Sequence, residues 1–420
     1  MMNKLTSYFF IFILFGYFLG CSNSASLSKN DYTYLYDQTQ KLINPEFKLF
    51  HDQEDSSTLY FQLKSNDILY GRINDSLLVA NIWVKYYLWA NKSRTEVIDS
   101  ATHKLTNYGL NENKKIIQGA VRIKIPLGKA YPLEVRFRDE NKGLNVIYEI
   151  VADKRFNGNS QFYQLRNGKQ VLVEPIITHK GNTVLEKSPL ITNNKYRLQQ
   201  VNYSYSMTPP PFVGENNDAI NSQDDTTSVV EFFADTLLIS SFRNINQLLP
   251  VTKSDAFPVY FFYFYEGFPF VNNVEQMIQP IRYISTTSEY KKVNDATNKK
   301  GAMDNFWLKM AKNEEKAKKL IKEYYNRVED ANKYFSTYKE GWKTDRGIIY
   351  VVYGNPTTIY KTTAKETWIY GEENNILSIK FEFINVNNPQ SANDYKLIRN
   401  ADYKNNWYRA VDLWRQGKIL

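Results

Sequence analysis

The chain has 420 residues and a net charge of +9, from 53 Lys and Arg against 44 Asp and Glu. Its basic residues are scattered among the acids, whereas a nucleic-acid reader concentrates them in one stripe or helix, so we predict no nucleic acid partner. One cysteine excludes an internal disulfide, and three isolated histidines favour no metal site. The 32 Tyr, 25 Phe and 7 Trp form an unusually large aromatic share.

The first 20 residues have the layout of a bacterial lipoprotein signal peptide. Lys4 supplies a positive charge, Tyr8 to Leu19 is apolar, and Cys21 follows the small residue Gly20. An uncleaved anchor is disfavoured because the apolar run is about a dozen residues, short of the roughly 20 that span a bilayer. We therefore predict lipidation of Cys21 and a tether over residues 21–45. The alternative is an ordinary signal peptide that contains a cysteine.

The residues after Cys21 indicate which of the two bacterial membranes the lipoprotein is sorted to. Ser22 is not an aspartate, which favours sorting to the outer membrane over retention in the inner one. The stretch Ser22 to Asn30 is small and polar and has no acidic cluster of the kind that some bacteria use for surface export. The predicted location is the periplasmic face of the outer membrane, and the cell surface is the alternative.

Residues 46–155 and 156–290 are predicted to form two tandem β-sandwich domains, because strand-like segments follow one another without helical segments between them. The strands predicted in the first are Leu59–Leu63, Ser76–Trp89, Ala120–Ile125, Leu133–Phe137 and Leu144–Val151. Those predicted in the second are Gln161–Leu165, Gln170–Glu174, Tyr196–Tyr205, Val229–Ser240 and Val259–Phe264. The segment Met207 to Thr227, with three consecutive prolines, is predicted to be a mobile loop.

From about Lys299 the pattern changes to helix. Apolar residues at three- and four-residue spacing predict one long amphipathic helix: Ala317, Leu320, Ile321, Tyr324, Val328, Ala331 and Phe335. Asp304 is a predicted N-cap, Leu377 to Phe383 alternates like a strand, and the last 20 residues predict a closing helix. The predicted fold is therefore multi-domain and mostly β, with an α+β domain over residues 291–420.

The segment Gly341-Trp342-Lys343-Thr344-Asp345 resembles the pentapeptide of the GWxTD domain. The flanking residues agree in order: Asp304–Trp307, Tyr324–Arg327, the pair Asn332 and Phe335, Tyr353–Pro356 and Glu366–Tyr370. The resemblance covers roughly residues 285 to 420. It implies an exported bacterial protein, often a lipoprotein, and it implies no established chemistry.

The pentapeptide is predicted to form a structural corner from the long helix into a strand over Ile348–Gly354. Gly341 would adopt a positive φ, and Thr344 and Asp345 would bind nearby backbone amides. Trp342 would contribute a large apolar body, and Arg346 would pair with a carboxylate. In a second interpretation the corner is a groove for a peptide, glycan or lipid head group, lined by Arg327, Trp342, Asp345 and Arg346.

The sequence shows no nucleophile elbow, phosphate loop or zinc-protease helix, so we predict no catalytic residue, metal or cofactor, although it leaves the question of an enzyme open. We predict a non-catalytic outer-membrane lipoprotein, a binding or scaffold subunit of an envelope assembly, whose C-terminal domain two sandwiches hold away from the membrane. One alternative is an envelope hydrolase of glycan or peptide at Asp345, paired with Glu366. Another is a glycan-binding lipoprotein with an exposed row of aromatic side chains.

Overall fold

The computed structural model describes residues 32–33, 36, 43–74, 77–109, 116–155, 158–179, 181, 183–204, 207–214, 221–251, 257–362 and 364–419. The predicted signal peptide, Cys21 and most of the tether lie outside these ranges. Within them, no helix combines the length and the apolar character needed to cross a membrane.

The first unit is a β-sandwich of two sheets that share one core. Its strands are β1 (Glu46–Phe50), β2 (Ser56–Lys64), β3 (Gly71–Asn74), β4 (Leu77–Trp89), β5 (Val97–Gly109), β6 (Ile116–Lys124), β7 (Ala130–Asp139) and β8 (Leu144–Asp153). One sheet has the order β1-β2-β6, and the other has the order β3-β4-β7-β8 with β5 also paired to β4. Apolar side chains of both sheets form one buried cluster.

Strand β4 shows why the sequence folds this way. Every second residue from Ala80 to Leu88 is buried, and the residues between them point to the other face. Its partner β5 was not predicted, because polar residues such as Asp99, His103 and Lys104 occupy much of this largely exposed strand.

The second unit is also a β-sandwich. Its strands are β9 (Tyr163–Asn167), β10 (Gln170–Leu172), β11 (Ile176–Ile177), β12 (Thr183–Lys187), β13 (Lys195–Ser204), β14 (Asn221–Glu231), β15 (Thr236–Ile239), β16 (Ile245–Pro250) and β17 (Val259–Tyr263). The two sheets, β10-β9-β12-β15 and β11-β17-β16-β13-β14, enclose a second buried cluster. The single strand predicted over Val229–Ser240 is wrong, because a turn with positive φ at Ala234 and Asp235 divides it.

The third unit is α+β. Its helices are α1 (Val274–Ile278), α2 (Thr287–Asn294), α3 (Lys299–Ala311), α4 (Glu314–Phe335), α5 (Asp345–Tyr353) and α6 (Tyr403–Arg415). The strands β18 (Thr358–Lys361), β19 (Lys365–Tyr370), β20 (Ile379–Asn385) and β21 (Tyr395–Leu397) form one antiparallel sheet in chain order. The predicted fold class, mostly β with a C-terminal α+β domain, is confirmed.

Helix α4 is the predicted long amphipathic helix, and its apolar stripe is buried. Two local predictions are wrong. Helical structure begins at Val274 rather than near Lys299, and α1 already packs into the third core through Ile278. Asp304 lies inside α3, whose N-cap is Asn298, where the side chain accepts the N–H of Gly301.

In the described parts of the chain, the first unit contacts the second, the second contacts the third, and a residue ahead of the first contacts the third. The first sandwich meets the second where the His51 N–H donates to the Gln161 carbonyl at 2.9 Å. The second meets the third where the Thr208 hydroxyl donates to the Lys343 carbonyl. Tyr36, ahead of the first sandwich, is buried in the third core. A residue that precedes both sandwiches in the chain therefore contacts the third unit directly.

Candidate functional site

The corner segment Gly341–Gly347 joins two helices, so the predicted strand over Ile348–Gly354 is wrong. Gly341–Lys343 form one 3-10 turn, and α5 follows directly with all nine of its residues buried. From Ile348 to Tyr353 the helix is apolar all round; such a segment belongs in the middle of a core, and its β-branched residues do not prevent this. The corner therefore positions a central helix.

Thr344 is the N-cap of α5. Its hydroxyl oxygen accepts the N–H of Gly347 at 3.1 Å and donates its own hydrogen to the Gly341 carbonyl at 2.7 Å. This ties the first turn of the helix to the turn before it, as a threonine cap does. Asp345 is the first helical residue, where a negative charge is favourable because the helix dipole is positive at that end.

The two glycines of the corner are required by close approach of the backbone. A Cβ on Gly341 would lie 1.8 Å from the Ala331 carbonyl oxygen, and one on Gly347 would lie 1.9 Å from the Gly341 carbonyl oxygen. The positive φ predicted for Gly341 is wrong, because it is not among the glycines in that region. The turn lies so close to α4 that no side chain fits between them.

Trp342 fills the core next to this turn and is 4% exposed. Its backbone N–H donates to the Asn332 side chain at 3.4 Å, and its ring lies edge-on to that of Tyr283. The ammonium group of Lys343 covers part of the ring at 5.1 Å from the centroid. The side chain is buried in protein, and it does not line an open groove.

Asp345 binds the last strand of the β-sheet and the side chain of Arg399. One carboxylate oxygen accepts the Leu397 N–H at 2.9 Å, and the other pairs with Arg399. Arg399 in turn donates to three backbone carbonyls of the second sandwich, those of Pro209, Pro210 and Val213, at 2.8 to 3.1 Å. The predicted mobile loop is therefore wrong in two respects: residues 207–214 dock on the third unit, and β14 begins at Asn221.

Arg346 lies at the centre of a buried charge network. It pairs with Glu366 at 3.1 Å, donates to the Asn393 carbonyl at 2.8 Å, and lies 4.2 Å from the centroid of the Tyr395 ring. Glu366 also pairs with Lys361 at 2.6 Å and accepts the indole N–H of Trp368 at 3.3 Å. Burial alone would raise the pKa of Glu366, but Arg346 and Lys361 outweigh it and lower that pKa to about 2.

Arg327 belongs to a different group of contacts. Its guanidinium pairs with Glu323 at 2.8 Å and lies 5.0 Å from the centroid of the Trp414 ring. It also donates to the Val352 carbonyl at 3.4 Å, close to the end of α5. The groove predicted from Arg327, Trp342, Asp345 and Arg346 does not form as one open site, because each of these side chains is buried against its own partners.

The two carboxylates considered for hydrolysis do not share a site. Asp345 is paired with Arg399, and Glu366 is paired with Arg346 and Lys361. A general acid needs a raised pKa, whereas that of Glu366 is lowered. Among the residues that the structure describes, no three His, Cys, Asp or Glu side chains come together as metal ligands.

Sequence reasoning missed several members of the network because they come from distant parts of the chain. Glu366 lies in one of the segments that resemble the GWxTD domain. No local sequence pattern marks the other partners of the corner, which are Tyr36, Lys361, Asn393 and Arg399. Tyr36 is 330 residues from Glu366, whose carboxylate accepts its hydroxyl hydrogen at 3.1 Å. No periodicity or spacing connects residues so far apart.

Residues 249–416 match the GWxTD domain. No curated protein matches the chain. Among solved structures, the chain is similar at 12% identity to a glycosyl hydrolase family 2 member from Bacteroides cellulosilyticus DSM 14838, over 26% of this chain and 14% of that one, with a TM-score of 0.18. A putative beta-galactosidase from Bacteroides fragilis gives 12% identity, 25% and 15% coverage and a TM-score of 0.17. At these TM-scores the likeness carries no inference about activity, and the chain spans about one seventh of those proteins.

Proposed function

Because this chain carries a GWxTD domain at its C-terminal end, we propose that it is a non-catalytic scaffold or binding subunit of a bacterial envelope assembly. In this proposal a lipid on Cys21 attaches it to the outer membrane, on the periplasmic face. The GWxTD domain connects the units of the chain, and its partners are other envelope proteins.

One observation carries the proposal: the polar groups of the corner are satisfied inside the protein. Thr344 caps a helix, and Asp345 binds Arg399 and a backbone amide. Arg346 is 1% exposed and binds Glu366 and Asn393. A catalytic motif, or one that binds a ligand from outside the chain, would leave at least one such group facing a cleft. The corner instead holds the second sandwich, the sheet and two helices in fixed positions, which is what a scaffold requires.

The experiment is purification of the tagged, lipidated protein from its native envelope in mild detergent, followed by mass spectrometry. We expect stoichiometric companion proteins that disappear when Cys21→Ser prevents lipidation. The matched control is Ser22→Ala, which leaves the cysteine in place and should retain the companions. If wild type and Ser22→Ala were both purified as monomers without companion proteins, the proposal would be contradicted.

The rival class, an envelope hydrolase, is tested with two variants that break the same ion pair. Asp345→Asn removes the carboxylate. Arg399→Gln removes the cationic partner of that carboxylate and leaves the carboxylate in place. If Asp345 were catalytic, wild type and Arg399→Gln would release soluble fragments from purified peptidoglycan, and Asp345→Asn would not. We expect no fragments above background from any of the three.

A second candidate function, glycan binding, is favoured by a row of aromatic side chains on the outer face of β4. Trp83, Tyr87 and Trp89 are half-buried on this face, and the last two rings stack with centroids 5.7 Å apart. Cationic groups of Lys104 and Arg136 each lie 5.1 Å from a ring centroid, on Trp83 and Tyr87 respectively. Aromatic side chains together with cationic hydrogen-bond donors are groups that bind the faces and hydroxyls of a sugar.

This second candidate predicts that Trp83→Ala with Trp89→Ala abolishes co-sedimentation with purified envelope polysaccharide. Phe233→Ala, which changes an exposed ring of the second sandwich, is the control. Equal sedimentation of the double variant and wild type would exclude the β4 row as a glycan site.

A further inference from the structure

The residues nearest the N-terminus that the structure describes contact the sheet of the GWxTD domain. The Tyr32 N–H donates to the Ile359 carbonyl at 2.8 Å, and the Thr33 hydroxyl donates to the Thr357 carbonyl at 3.3 Å. Ile359 belongs to β18, the strand at one edge of this sheet. The segment therefore supplies donors to carbonyl groups at a sheet edge, where peptides commonly bind.

Tyr36 enters the core beside this edge and is 6% exposed. Its ring contacts Tyr334, Phe335 and Trp368, with centroids 4.9 to 5.7 Å apart. The Tyr350 hydroxyl donates to the Tyr36 carbonyl at 3.3 Å. An aromatic cage thus surrounds the ring, and a side chain of another protein segment, rather than of the domain itself, fills it.

The bottom of the cage is polar and matches a phenol. The Tyr36 hydroxyl donates to the Glu366 carboxylate at 3.1 Å, and Arg346 donates to the hydroxyl oxygen at 3.4 Å. Burial and the charge of Glu366 raise the pKa of Tyr36 to about 12, so the hydroxyl keeps its hydrogen at neutral pH. A phenylalanine would fill the same cage but would leave one carboxylate contact unmade.

We infer that Arg346, Glu366 and the surrounding rings form a tyrosine-binding site, that its ligand is Tyr36 of the chain's own N-terminal segment, and that this contact keeps the GWxTD domain next to the membrane. The last part rests on the proposed lipid anchor at Cys21. Ten residues lie between Cys21 and Tyr32, and an extended chain spans this interval in at most about 40 Å. The next residue after Tyr36 that the structure describes is Ile43, buried in the first sandwich, and an extended chain from Cys21 to Ile43 reaches at most about 80 Å.

The site itself is tested in solution with a synthetic peptide. The chain with Tyr36→Ala retains the empty cage, so a peptide of residues 30–40 should raise its Tm by several degrees. The same peptide with alanine at position 36 should not, and one with phenylalanine should have a smaller effect. Equal Tm values with the native and the alanine peptides would overturn the tyrosine site, whatever the fate of the lipid anchor.

The membrane part is tested with the lipidated chain in vesicles. Because lipid occupies the only native cysteine, Ala364→Cys, at an exposed position between β18 and β19, provides a single thiol for a donor dye on the third unit. The acceptor dye is on the lipid head groups. We expect Tyr36→Ala to lower energy transfer at least twofold, and the matched control Tyr108→Ala to leave it unchanged. Unchanged transfer in the Tyr36→Ala chain would overturn this part. Failure of the wild type to bind vesicles would instead contradict the proposed function and leave the peptide result standing.

Discussion

Gly347 lies where the helix α5 begins, and a side chain there would meet the carbonyl oxygen of Gly341 at 1.9 Å. Neither partner can move freely, because both belong to the turn that Thr344 ties together. We expect Gly347→Ala to lower the free energy of unfolding by about 3 kcal/mol or more, at the upper end for overpacked sites. Urea unfolding followed by tryptophan fluorescence measures this change.

The control for this variant is Gly181→Ala, where a new Cβ would meet no heavy atom of the described residues within 4 Å. Its free energy of unfolding should match wild type within about 0.5 kcal/mol. A Gly347→Ala protein as stable as the control would mean that the close approach of the two turns is not needed.

Trp342 distinguishes a structural corner from a ligand site. Because its side chain is 4% exposed and packs against Tyr283, Trp342→Ala should cost roughly 3 to 5 kcal/mol, the range for large core residues. Differential scanning calorimetry would register a clear fall in Tm. An unchanged Tm together with lost companion proteins would instead place Trp342 in a binding site.

At the scale of elements, the start of α5 depends on one hydroxyl. Thr344→Ala removes both the cap to Gly347 and the bond to Gly341, so we expect a loss of about 1 to 2 kcal/mol. Thr344→Ser keeps the hydroxyl and should recover most of that loss. Chemical denaturation of the two variants compares them directly, and equal losses would show that the methyl group, rather than the cap, matters.

Helix α5 also shows what could be predicted from local sequence and what could not. The run Ile348–Tyr353 is rich in β-branched and aromatic residues, so propensity alone predicted a strand. Signals for a helix were nevertheless present: Thr344 and Asp345 at its start, and Gly354 with Pro356 after its end. Tertiary burial decided the outcome, since all nine residues lie inside the core. The amphipathic helices α4 and α6 carried a clear period and were predicted correctly.

The candidate site was predictable only in part. Its members within the corner stood out because Gly, Trp, Thr, Asp and Arg follow one another. Their partners did not, because Arg399 lies 54 residues beyond Asp345 and Tyr36 lies 310 residues before Arg346. Contacts at such separation are set by how the units pack, and that information is spread over the whole chain.

At the scale of the whole molecule, the junction of the two sandwiches contains a buried histidine. His51 is fully buried, and its Nδ1 lies 2.8 Å from the Ser57 hydroxyl. Its Nε2 lies 3.0 Å from the Gln161 side-chain oxygen and 3.1 Å from the Asp153 carbonyl, both of which are acceptors. In its neutral form the ring therefore carries its hydrogen on Nε2, and it joins the last strand of one sandwich to the first turn of the next.

Protonation of His51 opposes folding. Burial, followed by the charge of Lys154, lowers the pKa of His51 from its ordinary 6.5 to about 4 in the folded chain. The unfolded chain therefore binds one more proton over this interval, so stability falls as the pH drops from 6.5 towards 4 and is fully present above 6.5. The full shift corresponds to at most about 3 kcal/mol.

We therefore expect the Tm of wild type to fall more steeply between pH 6.5 and 4.5 than that of His51→Gln, which keeps a polar side chain but has no proton to bind. Carboxylates titrate in the same interval in both proteins, so the difference between the two curves isolates the histidine. Because the junction orients one sandwich relative to the other, small-angle scattering should show the wild type opening at the acid end of this range. Parallel Tm curves would show that His51 does not couple pH to the packing of the two sandwiches.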